Sequence, residues 1–277
     1  MKFKVGCELS YSVSSDSIFL FNIAPVRNNH QTILEENLII TPTLPHEDYV
    51  LPHFNSQYIR IQCPAGELAI SYQATVESFP MQVDPELLYE VPPAKLPIET
   101  LPYLNPSRYC QSDRLSRLTQ YEFGNLVPGY SRVTAICNWI YENVAYLSGT
   151  TDAQTSAFDT VTERAGVCRD FAHLGIAFCR ALNIPARFVS NYSYGLYPPD
   201  FHAIFEAYLG DRWYLFDPTR LAPIEGLIRI GAGRDAADAA FATIWGSALL
   251  KTMNVYADCL DPQPPTHTTK AIASTST

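Results

Sequence analysis

The sequence contains no apolar run near the roughly 20 residues needed to cross a bilayer as a helix, so no membrane partner is expected. Its opening, MKFKVGCELSYSVSSD, alternates and soon turns polar. It lacks the apolar stretch and small-residue cleavage site of a secretory signal, and a cytoplasmic location is the expectation. Positive charge is scarce: 19 Lys and Arg stand against 28 Asp and Glu, a formal net charge of −9, where a nucleic-acid binder would show a basic face. No two of the seven cysteines (Cys7, Cys63, Cys110, Cys137, Cys168, Cys179, Cys259) have CxxC spacing. Neither a disulfide framework nor a zinc site follows, and most should be buried as small reduced hydrophobes. The six histidines show no metal-ligand spacing, and no GxxxxGK[ST], HExxH, GxSxG or EF-hand pattern occurs. IGAGRDA matches a dinucleotide fingerprint only superficially, because the chain ends before a following βαβ unit could form. No cofactor and no metal are called for.

What the sequence does contain is a change of texture along its length. The first ninety residues are short runs rich in β-branched and aromatic side chains: FKVGCELSYSV, SIFLFNIAP, ILEENLIITP, SQYIRIQCPAG and ELAISYQATVESF. They predict an antiparallel sandwich or barrel over 1–90, without a cluster of catalytic residue types. Six prolines between Pro85 and Pro106 rule out a continuous helix or central strand, so 91–125 reads as an extended connector. Leu96, Ile98, Leu101 and Tyr103 should lay it on a domain surface, and Ser112–Asp113 should cap a short helix at its end.

Residues 126–262 read as a second domain. Val133, Ile136, Ile140 and Val144 recur at helical spacing, as do Phe171, Leu174, Phe178 and Leu182. Asn183 and Pro185 should end the second of these helices. ARFVSNYSYG and HAIFEAYLGDRWYLFDP read as strands, the latter folding back at Gly210–Asp211. GRDAADAAFATIWGSALLKT reads as helical, and the polar, proline-bearing tail 263–277 as disordered.

Cys168 follows Gly166 and opens a helix, where unpaired N–H groups and the helix dipole favour the nucleophilic thiolate. Alone, it is more readily one more buried cysteine. His202 and Asp217 change the balance. A two-residue turn at Gly210–Asp211 pairs Leu209 with Arg212, Glu206 with Leu215 and Ile204 with Asp217, so His202 becomes the diagonal neighbour of Asp217 on one face. A four-residue loop would put the two directly opposite, and either register keeps them together. A carboxylate beside an imidazole fixes its tautomer and stabilises the imidazolium formed when it takes a thiol proton. Asp170, in the first helical turn, suits the dipole, and His173 lies off the face of Cys168 and reads as structural.

The run AGVCRDFAHLGIAFCRALNIPARFVSNY, then HAIFEAYLGDRWYLFDPT, resembles the core of the transglutaminase-like superfamily, specifically its bacterial cysteine proteases. RYCQSDRL and GRDAADAAFATIWG resemble segments that flank that core. The resemblance implies an α+β protein: an N-terminal antiparallel β-sandwich-like domain followed by a transglutaminase/papain-like catalytic domain. It also implies a catalytic triad of Cys168, His202 and Asp217. The expected chemistry is acyl transfer from an amide or peptide bond of a peptide or protein through a thioester. Hydrolysis is the simpler outcome; transfer to an amine, or a non-catalytic peptide-binding module on the same fold, are the alternatives. The backbone N–H of Cys168 should supply one oxyanion donor, and the loop SGTTDAQTSAF is a candidate source of a second. Oligomeric state is not legible.

Overall fold

A computed structural model describes residues 1–276. The amino-terminal strands are β1 (Lys2–Val13), β2 (Ser17–Ala24), β3 (Gln31–Thr41), β4 (His46–Leu51), β5 (Ser56–Cys63) and β6 (Gly66–Ser78). They form the expected α+β protein's first layer pair, with β4 an element that sequence patterning does not reveal. Alternation drives the packing: Phe3, Val5, Cys7, Leu9, Tyr11 and Val13 of β1 all point into one apolar core, which they share with Phe19, Phe21 and Ile61. The proline-rich stretch from Pro85 breaks into short 3-10 turns, and the three-residue strand β7 (Met81–Val83) precedes it, within the first ninety residues. Leu96 and Tyr103 are buried with Tyr208 and Trp213, whereas Ile98 is exposed.

The second layer system begins with α1 (Ser112–Phe123) and α2 (Tyr130–Asn143), then β8 (Ala145–Tyr146), α3 (Ala157–Glu163), β9 (Ala165–Gly166) and α4 (Cys168–Ala181). The helical stripes of α2 and α4 are buried as their spacing predicts: Val133, Ile136 and Ile140 on one, Phe171, Leu174 and Phe178 on the other. Gly175 lets α4 approach the sheet, since a Cβ there would lie 2.5 Å from the Phe205 ring. The strands are β10 (Ala186–Ser193), β11 (His202–Leu209), β12 (Arg212–Phe216) and β13 (Leu227–Gly233). The hairpin register is the one the Gly210–Asp211 turn dictates, with Leu209 opposite Arg212 and Glu206 opposite Leu215; Gly210 has φ +61°.

Two expectations are corrected. GRDAADAAFATIWGSALLKT is helical only at α5 (Ala236–Ala239); it continues as β14 (Ala242–Trp245) and β15 (Ala248–Cys259). Its alanines favour helix locally, but β1 and β2 offer unpaired backbone edges, and β15 and β14 pair with them. The sandwich sheets therefore run β15-β1-β6-β3 and β14-β2-β5-β4, each completed by a strand from the far end of the chain. The tail is not wholly irregular either: β16 (Ala271–Ser276) inserts between β12 and β7, giving the sheet order β13-β10-β11-β12-β16-β7. Burial of Ala271, Ile272 and Ala273 outweighs the polar composition around them. Thr277, the last residue of that tail, lies outside the described residues. Ile272→Ala should cost about 2–4 kcal/mol of stability, read by denaturant unfolding. A change near zero would mean that β16 contributes little to the sheet.

Candidate active site

Cys168 is the first residue of α4, and the local sequence explains why the helix starts there. The Asp170 carboxylate is fully buried and accepts the backbone N–H of Val167 at 2.9 Å through Oδ2, and the Arg169 guanidinium at 3.0 and 3.2 Å through Oδ1. Gly166 makes room, because a Cβ there would sit 2.8 Å from the Asp170 Cβ. Asp170 thus ties down the turn entering α4, beyond its favourable place in the dipole. His173 is structural: it stacks on Tyr109 at 5.0 Å, and its Nε2 accepts the Ala236 N–H at 3.1 Å. Burial, with Arg169 and Arg180 nearby, holds its pKa well down, so it stays neutral.

His202 and Asp217 meet. Nε2 of His202 lies 2.8 Å from Oδ2 of Asp217, both side chains essentially without exposure. The other carboxylate oxygen accepts from the backbone N–H of Thr219 at 2.9 Å and from its hydroxyl at 2.7 Å. With three bonds on its two oxygens, Asp217 has little freedom to turn. Burial raises the Asp217 pKa, but the attraction and hydrogen bonding of His202 and Thr219 carry it below the usual value. For His202 burial opposes the charged form, yet Asp217 and the adjoining Cys168 push its pKa up to about 10. The imidazole therefore stands between a carboxylate on Nε2 and a thiol as its second neighbour. Nδ1, the nitrogen left free by Asp217, is buried without a hydrogen-bond partner.

Two residues at this site were not singled out from sequence. Thr219 follows from the Asp-Pro-Thr run, since a hydroxyl two residues after a carboxylate commonly bonds back to it. Tyr146 had no local signal. It is brought in by a parallel pairing of β8 with β9, Ala145 beside Ala165 and Tyr146 beside Gly166, two residues before Cys168. Its hydroxyl contacts the Cys168 backbone N–H and thiol; burial first, then the thiol, raise its pKa. The loop SGTTDAQTSAF is held at Asp152, whose Oδ1 accepts from the N–H groups of Gln154 and Thr155 and whose carbonyl accepts from the Arg169 guanidinium, beside Cys168, at 2.5 Å. Of the aromatic run leading into His202, Phe201 stacks on Phe241 and Tyr194 packs on Phe3, towards the sandwich, while Tyr197 is exposed. Among the described residues no group of three His, Cys, Asp or Glu side chains could hold a metal ion. Nor is any described helix long and apolar enough to cross a membrane.

A model of the transglutaminase-like superfamily core matches residues 117–218, and one of the bacterial transglutaminase N-terminal domain matches residues 1–99. A Cytophaga hutchinsonii protein, whose crystal structure is described as that of a "putative cysteine protease", is 47% identical; the match covers 99% of this chain and 97% of that one, with TM-score 0.96. The chain belongs to the transglutaminase-like superfamily. An uncharacterized protein of Mycobacterium leprae is 36% identical over 120 residues, 39% of this chain and 42% of that protein. One of Mycobacterium tuberculosis is 33% identical over 114 residues, 36% of each. The match spans less than half the length of these mycobacterial relatives.

The thiols differ sharply in setting. Cys7, Cys63, Cys110, Cys137 and Cys179 are buried, while Cys168 and Cys259 are partly exposed. Burial pushes Cys7 up to about 11 and Cys110 up to about 12. Iodoacetamide at mildly acidic pH should alkylate Cys168 first, and His202→Ala should slow that reaction, as read by peptide mass mapping. Labelling of Cys168 no faster than Cys259 would remove the case for an activated thiol. The pair also links stability to pH. Raised above its ordinary 6.5, His202 contributes stability in full below that value and loses it as pH rises through about 10. Asp217, depressed below 3.8, contributes above that value and loses its share as acid protonates it. Asp217→Asn should flatten both limbs of the unfolding free energy against pH.

Proposed function

We propose that the chain is a cysteine acyl-transfer enzyme acting on amide or peptide bonds of a peptide or protein, with water as the usual acceptor. The observation that carries this reading is the buried His202–Asp217 contact, with the Cys168 thiol as the imidazole's other neighbour. Cys168, as thiolate, attacks the carbonyl carbon and forms a C–S bond, and the carbonyl electrons move to oxygen. His202, as imidazolium, gives its proton to the departing amine when the C–N bond breaks, leaving a thioester. Neutral His202 then takes a proton from water as it attacks the thioester; the acid leaves and Cys168 departs as thiolate. Asp217 holds one imidazole orientation throughout and stabilises the charged form.

The tetrahedral oxyanion formed in each half-reaction requires donors. The Cys168 backbone N–H, which no backbone carbonyl takes up at the start of α4, is one; the Tyr146 hydroxyl, which touches that same N–H in the free protein, is the second. Substrate oxygen would displace the hydroxyl from the N–H and accept from both. Support for an enzyme over a passive binding module comes from the burial of Asp217: a carboxylate held under an imidazole by Thr219 is a costly arrangement for a fold that needs only a peptide groove.

The test is a peptide-library incubation, with and without added primary amine, read by mass spectrometry. Wild type should release cleaved or deamidated products in water, and Cys168→Ala should release none. Product formation that survives Cys168→Ala would refute the mechanism. A predominance of amine adducts would reassign the acceptor. On a substrate so identified, Tyr146→Phe should lower kcat by about a hundredfold or more with KM little changed. An unchanged kcat would remove Tyr146 from the oxyanion site.

A further inference from the structure

A cavity of about 480 Å³ lies between α2 and the chain that leaves β12, and Asp217 is among the residues that line it. Tyr130 and Phe216 form its apolar wall, their ring centroids 4.7 Å apart. Thr134 and Asn138 extend along α2 from Tyr130. Arg220 stands at the rim, exposed to solvent. It donates to Oδ1 of Asn138 at 2.6 Å and lies 4.1 Å over the Tyr141 ring. These contacts hold the guanidinium against α2 and leave most of its N–H donors without a protein acceptor among the described residues.

The backbone of Arg220 is left-handed, with φ +57°. Glycine or asparagine takes that conformation at less cost, so the reason for an arginine lies in its side chain. Other arginines of the fold are answered: Arg187 on β10 and Arg229 on β13 both pair with the buried Glu206 of β11. Among the described residues no carboxylate forms an ion pair with Arg220. Asp217 does not answer it, because that side chain is essentially unexposed and its oxygens are held by His202 and Thr219. The charge of Arg220 nevertheless reaches into the cavity. Burial, then Asp217, raise the pKa of the Cys137 thiol in the lining, and Arg220 opposes them.

We propose that this cavity is a specificity subsite for a Glu or Asp side chain of the substrate, its carboxylate on Arg220 and its methylenes against Tyr130 and Phe216. The assignment rests on the acyl-transfer reading above, which supplies the bond that the side chain flanks. Cys168 and His202 do not line the cavity; it adjoins the site on the Asp217 side of the imidazole. An extended peptide advances about 3.3 Å per residue, which puts the acidic side chain roughly two or three positions from the scissile bond. A guanidinium binds a carboxylate through two parallel charge-assisted bonds, which a glutamine side chain cannot match.

The test uses the full chain and a library of acetylated, amidated peptides, with a parallel library ending in the free carboxylate, read by mass spectrometry. Wild type should turn over Glu-bearing peptides with kcat/KM about tenfold above their Gln counterparts, the difference lying in KM. Arg220→Gln should bring that ratio close to one, Arg220→Lys should keep part of it, and Arg220→Glu should favour Lys at the same position. A general loss of folded enzyme lowers both rates alike and leaves the ratio alone. Thr134→Trp, which narrows the cavity from α2, should also reduce the ratio. Passing the library over immobilised Cys168→Ala protein reads the subsite without chemistry. Retained peptides should be rich in Glu and Asp, and adding Arg220→Gln should abolish the enrichment. Cleavage that depends on Cys168 but shows no acidic preference would overturn the subsite and leave the acyl-transfer reading standing. Arg220-dependent enrichment with no cleavage by wild type would keep the acidic subsite and sink the enzyme reading instead. A Glu-to-Gln ratio unaltered by Arg220→Gln, or a preference confined to peptides with a free carboxyl end, would overturn the proposal.

Discussion

The contact between the Asp217 carboxylate and the His202 imidazole takes place out of water, and that circumstance sets the terms for everything around it. A buried carboxylate is tolerated only when its oxygens are bonded and its charge is answered. Thr219 answers one oxygen twice, and His202 answers the other. The imidazole, held by Nε2, is then oriented by a neighbour that cannot rotate, and its opposite edge faces the start of α4. Strand pairing alone would bring the two residues near each other. Hydrogen bonding to Thr219 is what makes the approach a fixed geometry.

Rigidity at the site is inherited from both ends of the chain. The helix that Cys168 opens is seated by Asp170 at its entrance and by Arg180 near its end, whose guanidinium reaches the carbonyls of Asn105, Ala186 and Arg234. The sheet beneath carries strands from residues 81–83 to 271–276, and the sandwich beside it is closed by 242–259. Tyr192 of β10 donates its hydroxyl to the Ile23 carbonyl of β2 at 2.7 Å, so the sheet that carries His202 and the sandwich are joined by a hydrogen bond as well as by apolar packing. Along β11, His202 and Glu206 are four residues apart, roughly 13 Å at strand rise. One strand therefore holds a residue of the candidate active site and the centre of the Arg187–Glu206–Arg229 cluster.

How much of this was legible in the sequence depended on whether the determining contacts are local. The hairpin register followed from Gly210–Asp211 and the period of two, and with it the approach of His202 to Asp217. The stripes of α2 and α4 followed from their own spacing. Local reasoning failed where a distant partner decided the outcome. The alanines of 236–248 prefer helix in isolation, yet unpaired edges of β1 and β2, more than 200 residues away, recruit much of that segment as strand. Ala271–Ser276 carries too little apolar character to announce itself until β12 supplies an edge. Tyr146 carries no local signal for a similar reason: only the short parallel pairing with Gly166 sets it beside Cys168. Arg187, Glu206 and Arg229 lie on three strands, and no sequence spacing links them.

Asp217, helped by the nearby thiol, holds the His202 pKa well above the ordinary range for histidine. Nitrogen-15 NMR of the His202 ring, followed from mildly acidic to strongly alkaline pH in wild type and in Asp217→Asn, measures this directly. Both ring nitrogens should remain protonated through neutrality and release a proton near pH 10 in wild type, with a marked shift to lower pH in the variant. Titration of wild type near 6.5, unaltered by the substitution, would mean that Asp217 does not hold the imidazolium.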